Sequence, residues 1–263
     1  MVLERFRLDG KVAIITGAGR GIGAATALAY AEAGANLVLT SRTQEQVDAI
    51  ADRAVDEFGV AASARAFDVN ENDNIEALVA YAIEEFGRVD IVVNNAGGTM
   101  PRPLLDTSPG FFERAFHFNV TTAFLLSKLV VPHMLEVGGG SIVNISSLIG
   151  RLSDRGMIAY GTAKGALSHM TRLMAADLAP RIRVNAIGVG SIATSALEVV
   201  LENEELRTSM IDGTPLKRLG HPDDIALCAL YLASPAASFV TGKVFEIDGG
   251  LESPNLALGL PDL

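Results

Sequence analysis

The chain has 263 residues, 49% of them hydrophobic and 20% charged, with a formal net charge of −10. That composition excludes a disordered or fibrous chain. The acidic balance repels phosphate backbones and gives no polybasic signal for anionic membranes, which argues against a nucleic-acid or membrane partner.

Lys11-Val-Ala-Ile-Ile-Thr16, bounded by Gly10 and Gly17, reads as a buried strand, and residues Gly21 to Ala33 read as a helix stopped by Gly34. A second strand is expected over Asn36–Thr40 and a second helix from Gln44 to Phe58. A third strand follows from Ala61 to Phe67, and a third helix from Glu71 to Phe86, closed by Gly87. Asp90–Asn94 is strand four. Pro109 suits the first turn of a long helix reaching about Leu135, after which Gly138-Gly-Gly140 makes a loop. Strand five covers Ser141–Ser146, helix five Ile158–Leu178 and strand six Arg181–Ile187. A helical substrate-loop region is expected over about 190–215, with its helix from Leu197 to Asp212. Pro222, Asp223 and Asp224 start another helix, because proline and acids suit a first turn. Lys243–Ile247 is the last strand, and the tail Pro254–Leu263 is apolar but broken by Pro and Gly. Two readings of that tail (252–263) stand open: a frayed end, or a segment docked on a neighbouring subunit.

Continuous apolar strands alternating with helices predict parallel strands joined by right-handed crossovers. The expected fold class is therefore α/β: one doubly wound sheet of about seven strands with helices on both faces, spanning 1–263. Ligands of such sheets bind beyond the carboxyl ends of the strands. Thr16-Gly17, Asn94-Asn95, Ser146-Ser147 and Gly188 onward all fall there.

The glycines at 17, 19, 21 and 23 lack Cβ atoms, so backbone can approach a pyrophosphate at the N-terminus of the first helix. Arg20 and Ile22 belong to the same turn. At the end of strand two, where a carboxylate commonly binds the ribose of NAD, stand Thr40, Ser41 and Arg42. A guanidinium suits a phosphate oxyanion, so Arg42, with Arg20 as a second candidate, predicts NADP(H) over NAD(H). Asp68, beside Val69, can accept a bond from the adenine amino group or cap the following helix. Tyr160 and Lys164 are four apart on one helix face, and a lysine cation beside a phenol is expected to lower the tyrosine pKa toward working pH. Cys228 lies in an apolar helical stretch and reads as core packing. The four histidines are scattered, and no metal site is expected. No signal-peptide core and no run near the ~20 residues of a spanning helix is evident, which suggests a soluble cytoplasmic protein.

From about residue 8 to 251 the chain resembles the short-chain dehydrogenase/reductases, whose fold is Rossmann-like. Thr16-Gly-Ala-Gly-Arg-Gly-Ile-Gly23 is similar to that family's cofactor motif, and Asn94-Asn95-Ala96-Gly97 to its strand-four motif. Asn119, Ser147, Tyr160 and Lys164 match its catalytic tetrad in order and spacing. The resemblance implies Tyr160 as general acid/base, Ser147 as the donor polarising a carbonyl, Lys164 as the group tuning Tyr160 and binding ribose hydroxyls, and Asn119 as anchor of a proton relay. Gly190, Ile192 and Thr194 stand where the family contacts the nicotinamide amide. Where the family usually has Pro-Gly, this chain has Val189-Gly190, which predicts a freer loop because Val lacks proline's fixed φ.

Within the family, Thr194–Glu198 and Thr214–Gly220 look most like 7α-hydroxysteroid dehydrogenases, and the 3-oxoacyl reductases are the near alternative. The expected reaction is hydride exchange between NADP(H) and a ketone or secondary alcohol. A non-catalytic NADP sensor is a third reading, opposed by the intact tetrad. The expected substrate pocket is largely apolar: Thr99, Met100, Ser147, Leu148, Ile149, Leu152, Met157 and Leu197. The resemblance also implies a homotetramer formed partly through helices four and five, with Phe116, Phe118 and Phe124 serving that interface or the core.

Overall fold

The computed structural model describes residues 1–197 and 202–256. Seven strands form one parallel sheet: β1 (Val12–Thr16), β2 (Asn36–Thr40), β3 (Ala62–Ala64), β4 (Ile91–Asn94), β5 (Gly140–Ile145), β6 (Ile182–Val189) and β7 (Val244–Ile247). Their spatial order is β3-β2-β1-β4-β5-β6-β7. The order reverses between β1 and β4, and such a switch opens a crevice at the carboxyl ends of the strands. Helices α1 (Gly21–Glu32), α2 (Gln44–Phe58), α3 (Asn72–Phe86), α4 (Pro109–Phe116), α5 (Thr122–Glu136), α6 (Ile158–Leu178), α7 (Glu204–Gly213) and α8 (Pro222–Ala233) surround the sheet.

Alternation along the strands builds two cores. Ala13, Ile15, Leu37, Leu39 and Val93 face α1, α2 and α8, whereas Val12, Ile14, Val38, Val92 and Ile142 face α3, α5 and the end of α6. Both faces are covered, so the strands are apolar throughout rather than alternating with polar residues. Tyr30 is fully buried in the first core, and its hydroxyl donates to Ala229 O at 2.9 Å, tying α1 to α8. The start of β4 is fastened by the buried Asp90 carboxylate, which accepts from Val12 N, Lys11 Nζ and the Arg88 guanidinium.

Several boundaries differ from expectation for identifiable reasons. β3 ends at Ala64 because the Gln44 side chain takes over the edge: its Nε2 donates to Ala64 O at 3.2 Å and its Oε1 accepts from Ala66 N at 2.7 Å. The long helix is broken by a π-helical turn, His117–Thr121, between α4 and α5. Asn119 in this turn inserts its amide into the backbone ladder, donating to Ala115 O at 2.8 Å. Contrary to the sequence expectation, the composite helix Pro109–Glu136 is long and apolar enough to cross a membrane by length and composition alone. It lies along α3 and α6 with Leu126, Val130 and Met134 in the core.

The substrate-loop region is a 3₁₀ turn at Ser195–Leu197 and then α7, whose N-cap Asn203 accepts from Leu206 N. Residues 198–201 of the helix expected there, and 257–263 of the tail, lie outside the described residues. The loop after β6 is pinned rather than free. Val189 continues β6 opposite Ile247, Gly190 N donates to Ile247 O at 3.0 Å, and Ile192 bridges to Gly220. A Cβ on Gly190 would stand 2.5 Å from Asp248 Cα, so glycine permits this close approach. Cys228 is half-buried, and burial pushes its thiol up to about 11, consistent with an inert packing residue.

Candidate active site

The turn from β1 into α1 leaves no room for side chains. A Cβ on Gly17 would stand 2.8 Å from Asn95 Nδ2, and one on Gly23 would stand 2.6 Å from that atom and collide with the Gly17 carbonyl. Asn95 holds the turn in place, its Nδ2 donating to Thr16 O at 2.9 Å and to Gly17 O at 3.1 Å. Thr16 Oγ1 in return accepts from the N–H groups of Asn95 and Ala96. Bare backbone at the positive end of α1 thus borders a cavity of about 460 Å³. Such a cradle suits the pyrophosphate of a dinucleotide.

Of the sequence-predicted cofactor residues, the cavity is lined by Gly17, Gly19, Arg20, Gly21, Ile22, Ser41, Arg42, Asp68, Val69, Asn95, Ala96, Gly97, Tyr160, Lys164, Gly190 and Thr194. Gly23 sits behind the turn, and Ile192 is buried against Gly220. Thr43 and Gln46, at the start of α2, also line the cavity and were missed by the motif reading. The place of Thr43 directly after Ser41-Arg42 was the available signal for it. No carboxylate among the described residues pairs with Arg20 or Arg42.

Across the cavity, Ser147 follows β5, and Tyr160 and Lys164 lie one turn apart on α6, all three lining the wall. Ser147 Oγ accepts from Ile149 N at 3.2 Å, and its hydroxyl lies near enough to the Tyr160 phenol to act on its pKa. Lys164 is 3% exposed; its Nζ donates to Ile145 O at 2.8 Å and stands 5.7 Å from the Tyr160 ring centroid. Burial lowers its pKa to about 8. The expectation of a lowered Tyr160 pKa is not met: burial raises it, and the nearby Ser147 hydroxyl pulls only partly the other way. The ammonium points at a backbone carbonyl, not at the phenol oxygen, and a desolvated phenolate is costly.

Asn119 lies behind this group. Its Oδ1 accepts from Gly98 N at 2.9 Å and its Nδ2 donates to Gly98 O at 3.1 Å. A Cβ on Gly97 would stand 2.8 Å from Asn119 Oδ1 and 3.0 Å from Lys164 Nζ, so glycine lets all three meet. Asn119 itself does not line the cavity.

The residues expected around the substrate flank the cavity but do not line it, apart from Ser147. Leu148 is buried, Ile149 packs its Cγ2 toward Gly161 of α6, and Leu152, Met157 and Leu197 are half-buried. Thr99 Oγ1 donates to Gly98 O, and Met100 is exposed. The loops carrying these side chains are joined by Arg102 N donating to Gly156 O at 2.7 Å.

A family model described as enoyl-(acyl carrier protein) reductase matches residues 17–252. The chain belongs to the short-chain dehydrogenase/reductase family. It is 57% identical over 264 residues to an uncharacterized oxidoreductase of Mycobacterium tuberculosis, covering all of both chains. It is 43% identical to the 7α-hydroxysteroid dehydrogenase of Escherichia coli K12, over 94% of this chain and 96% of that one. It is 37% identical to a 3-oxoacyl-[acyl-carrier-protein] reductase of Thermotoga maritima, over 93% and 99%. A solved 7α-hydroxysteroid dehydrogenase complexed with NADH and 7-oxo glycochenodeoxycholic acid is similar at a TM-score of 0.92 and 42% identity, covering 97% of this chain and 99% of that one. The protein is thus an oxidoreductase of alcohol and ketone groups with a fold that binds nicotinamide cofactors.

Proposed function

We propose that the protein is an NADP(H)-dependent oxidoreductase of a bulky, hydrophobic, steroid-like ketone or secondary alcohol. The observation that carries the reading is the meeting of Ser147, Tyr160 and Lys164 on one wall of the dinucleotide-sized cavity. The cofactor, when bound, supplies or accepts a hydride. The protein's own groups handle the oxygen: Ser147 and Tyr160 donate hydrogen bonds where negative charge grows, and Tyr160 passes its proton. A raised phenol pKa keeps Tyr160 protonated in the cofactor-free protein, ready as the acid for ketone reduction. Lys164 and Asn119 hold the site from behind, and Lys164 is placed to meet ribose hydroxyls.

NADP(H) is favoured by Arg42 and Ser41 on the cavity wall at the end of β2, where the family's NAD-binding members commonly have an acid. Gly17, Gly19, Gly21, Ile22 and Gly23 would frame the pyrophosphate turn, Asp68 and Val69 the adenine, and Asn95, Ala96, Gly97, Gly190, Ile192 and Thr194 the rest of the cofactor. Half-buried Leu152, Met157 and Leu197, with Thr99, Leu148 and Ile149, favour a large apolar substrate, as does the similarity to hydroxysteroid dehydrogenases. We place the enzyme in the cytoplasm as a homotetramer; exposed Phe116 and Phe124 on α4 and α5 support an assembly face.

The second reading, a 3-oxoacyl-thioester reductase, is supported by the Thermotoga relative. It is opposed by the end of α5, Pro132-His-Met-Leu-Glu136, which carries no lysine or arginine for an acidic carrier. The test is NADPH consumption against steroid ketones, acetoacetyl thioesters and small diketones, with Tyr160→Phe as blank. Tyr160-dependent turnover of steroid ketones supports the first reading, and turnover of thioesters alone replaces it with the second. Silence across the panel in both directions, with NADPH bound, would favour a sensor.

A further inference from the structure

Ser146 ends the chain of residues leaving β5, immediately before Ser147, and it is 2% exposed. Its hydroxyl is 3.0 Å from Lys164 O and 2.8 Å from Ser168 Oγ. A serine has a single hydroxyl proton. Ser146 donates it to the Lys164 carbonyl, so the short contact to Ser168 is satisfied only when Ser168 donates to Ser146. The two hydroxyls form a directed chain, Ser168 to Ser146 to Lys164.

Lys164 is consequently held at both ends by consecutive residues. Ile145 O takes its ammonium and Ser146 Oγ takes hold of its backbone carbonyl. The next residue, Ser147, lines the same cavity wall as Tyr160 of that helix. The turn Leu148–Gly150 closes the contact from outside, since a Cβ on Gly150 would stand 2.8 Å from the Lys164 carbonyl carbon.

We propose that Ser146 and Ser168 are positioning residues of the reaction: their hydroxyl chain sets the register of the Tyr160–Lys164 turn of α6 against the strand end that carries Ser147. Neither is assigned a proton-transfer step. The proposal rests on the roles given above to Tyr160, Lys164 and Ser147. Misplacing reacting groups by about 1 Å costs up to ~100-fold in rate.

The test uses the full-length protein with Ser146→Ala, Ser168→Ala and the hydroxyl-retaining Ser168→Thr. Its first readout needs neither cofactor nor substrate. The chain has five lysines, so 13Cε-lysine NMR, assigned with Lys164→Met, gives the Lys164 titration midpoint directly. The wild type should titrate near 8 because the amine is buried. Loosening the turn admits water, and the midpoint should rise by about one unit in both alanine variants and remain near the wild-type value in Ser168→Thr.

The second readout is Tyr160-dependent turnover. The expected result is kcat down by roughly tenfold to 100-fold in the alanine variants with KM within twofold, and recovery in Ser168→Thr. A midpoint unmoved in both alanine variants overturns the proposal whatever the activity. So does a moved midpoint with kcat within twofold of wild type. A silent wild type would count against the proposed function instead, and the lysine titration then decides alone. If Ser146→Ala does not fold, the Ser168 pair carries the same test.

Discussion

Replacing Lys164 by methionine isolates the cost of keeping an amine inside this site. Lys164 is 3% exposed, and burial lowers its pKa from 10.5 to about 8. Between those values the unfolded chain binds a proton that the folded site does not. Stability therefore rises with pH in that window, and the lysine is most destabilising below pH 8. That lowering amounts to about 3 kcal/mol at pH 7, of which roughly 2 kcal/mol has gone by pH 9.5.

Methionine keeps an unbranched stem but loses the 2.8 Å bond to Ile145 O, which costs about 1–3 kcal/mol. The two effects nearly offset at neutral pH, so the informative quantity is the pH dependence of the difference. Unfolding free energies from urea denaturation of the cofactor-free proteins should show the mutant's advantage shrinking by about 2 kcal/mol from pH 7 to pH 9.5. Far-ultraviolet circular dichroism is the suitable signal, since the chain has no tryptophan. A difference flat over that range would refute the claim that Lys164 carries a burial penalty. Turnover should collapse in the same variant, because the change removes the amine from the site.

Asp90→Asn should cost about 3 kcal/mol by urea denaturation, since it breaks a buried carboxylate out of contacts with Arg88, Lys11 and Val12 N. Burial pushes the Asp90 pKa up, but those donors outweigh it and the net shift is downward. Its stabilisation is therefore present above the ordinary carboxylate pKa and lost as pH falls through the lowered folded value; a wild-type advantage that survives full acid titration would contradict this. Gly23→Ala places a Cβ against the Gly17 carbonyl and Asn95, so thermal melting should report a loss of about 1–3 kcal/mol together with weakened NADPH binding. An unchanged melt and an unchanged titration would mean that the turn yields freely. Arg42→Ala should raise the NADPH dissociation constant about tenfold or more, the loss of one charge-assisted contact, and leave NADH untouched. Equal weakening of both cofactors in fluorescence titrations would remove Arg42 from the 2′-phosphate.

Local pattern was enough for the sheet and for the order of its parts. Residues Val12–Thr16 and Ile91–Asn94 are continuous apolar runs because helices cover both faces, and that signal survives in one dimension. Gly17 and Gly23 were legible because only residues without Cβ fit a turn pressed against Asn95, and Gly21 because its backbone takes a positive φ of 57°. Tyr160 and Lys164 were legible because helical spacing puts them on one face.

Tertiary contacts decided the rest. The π-turn comes from the Asn119 amide inserting at Ala115 O, which no periodicity encodes. The Tyr160 pKa moves up, not down, because burial desolvates the phenolate while Lys164 Nζ bonds Ile145 O, a group 19 residues away. The loop at Val189 is pinned by β7 and Gly220, distant partners that compensate for the missing proline. Gln46 joins the cavity wall only because the first turn of α2 packs on Gly19, where an added Cβ would stand 2.8 Å from Gln46 Cβ. Spacing along a chain reports which residues share a face; their protonation and separation depend on partners brought near by folding.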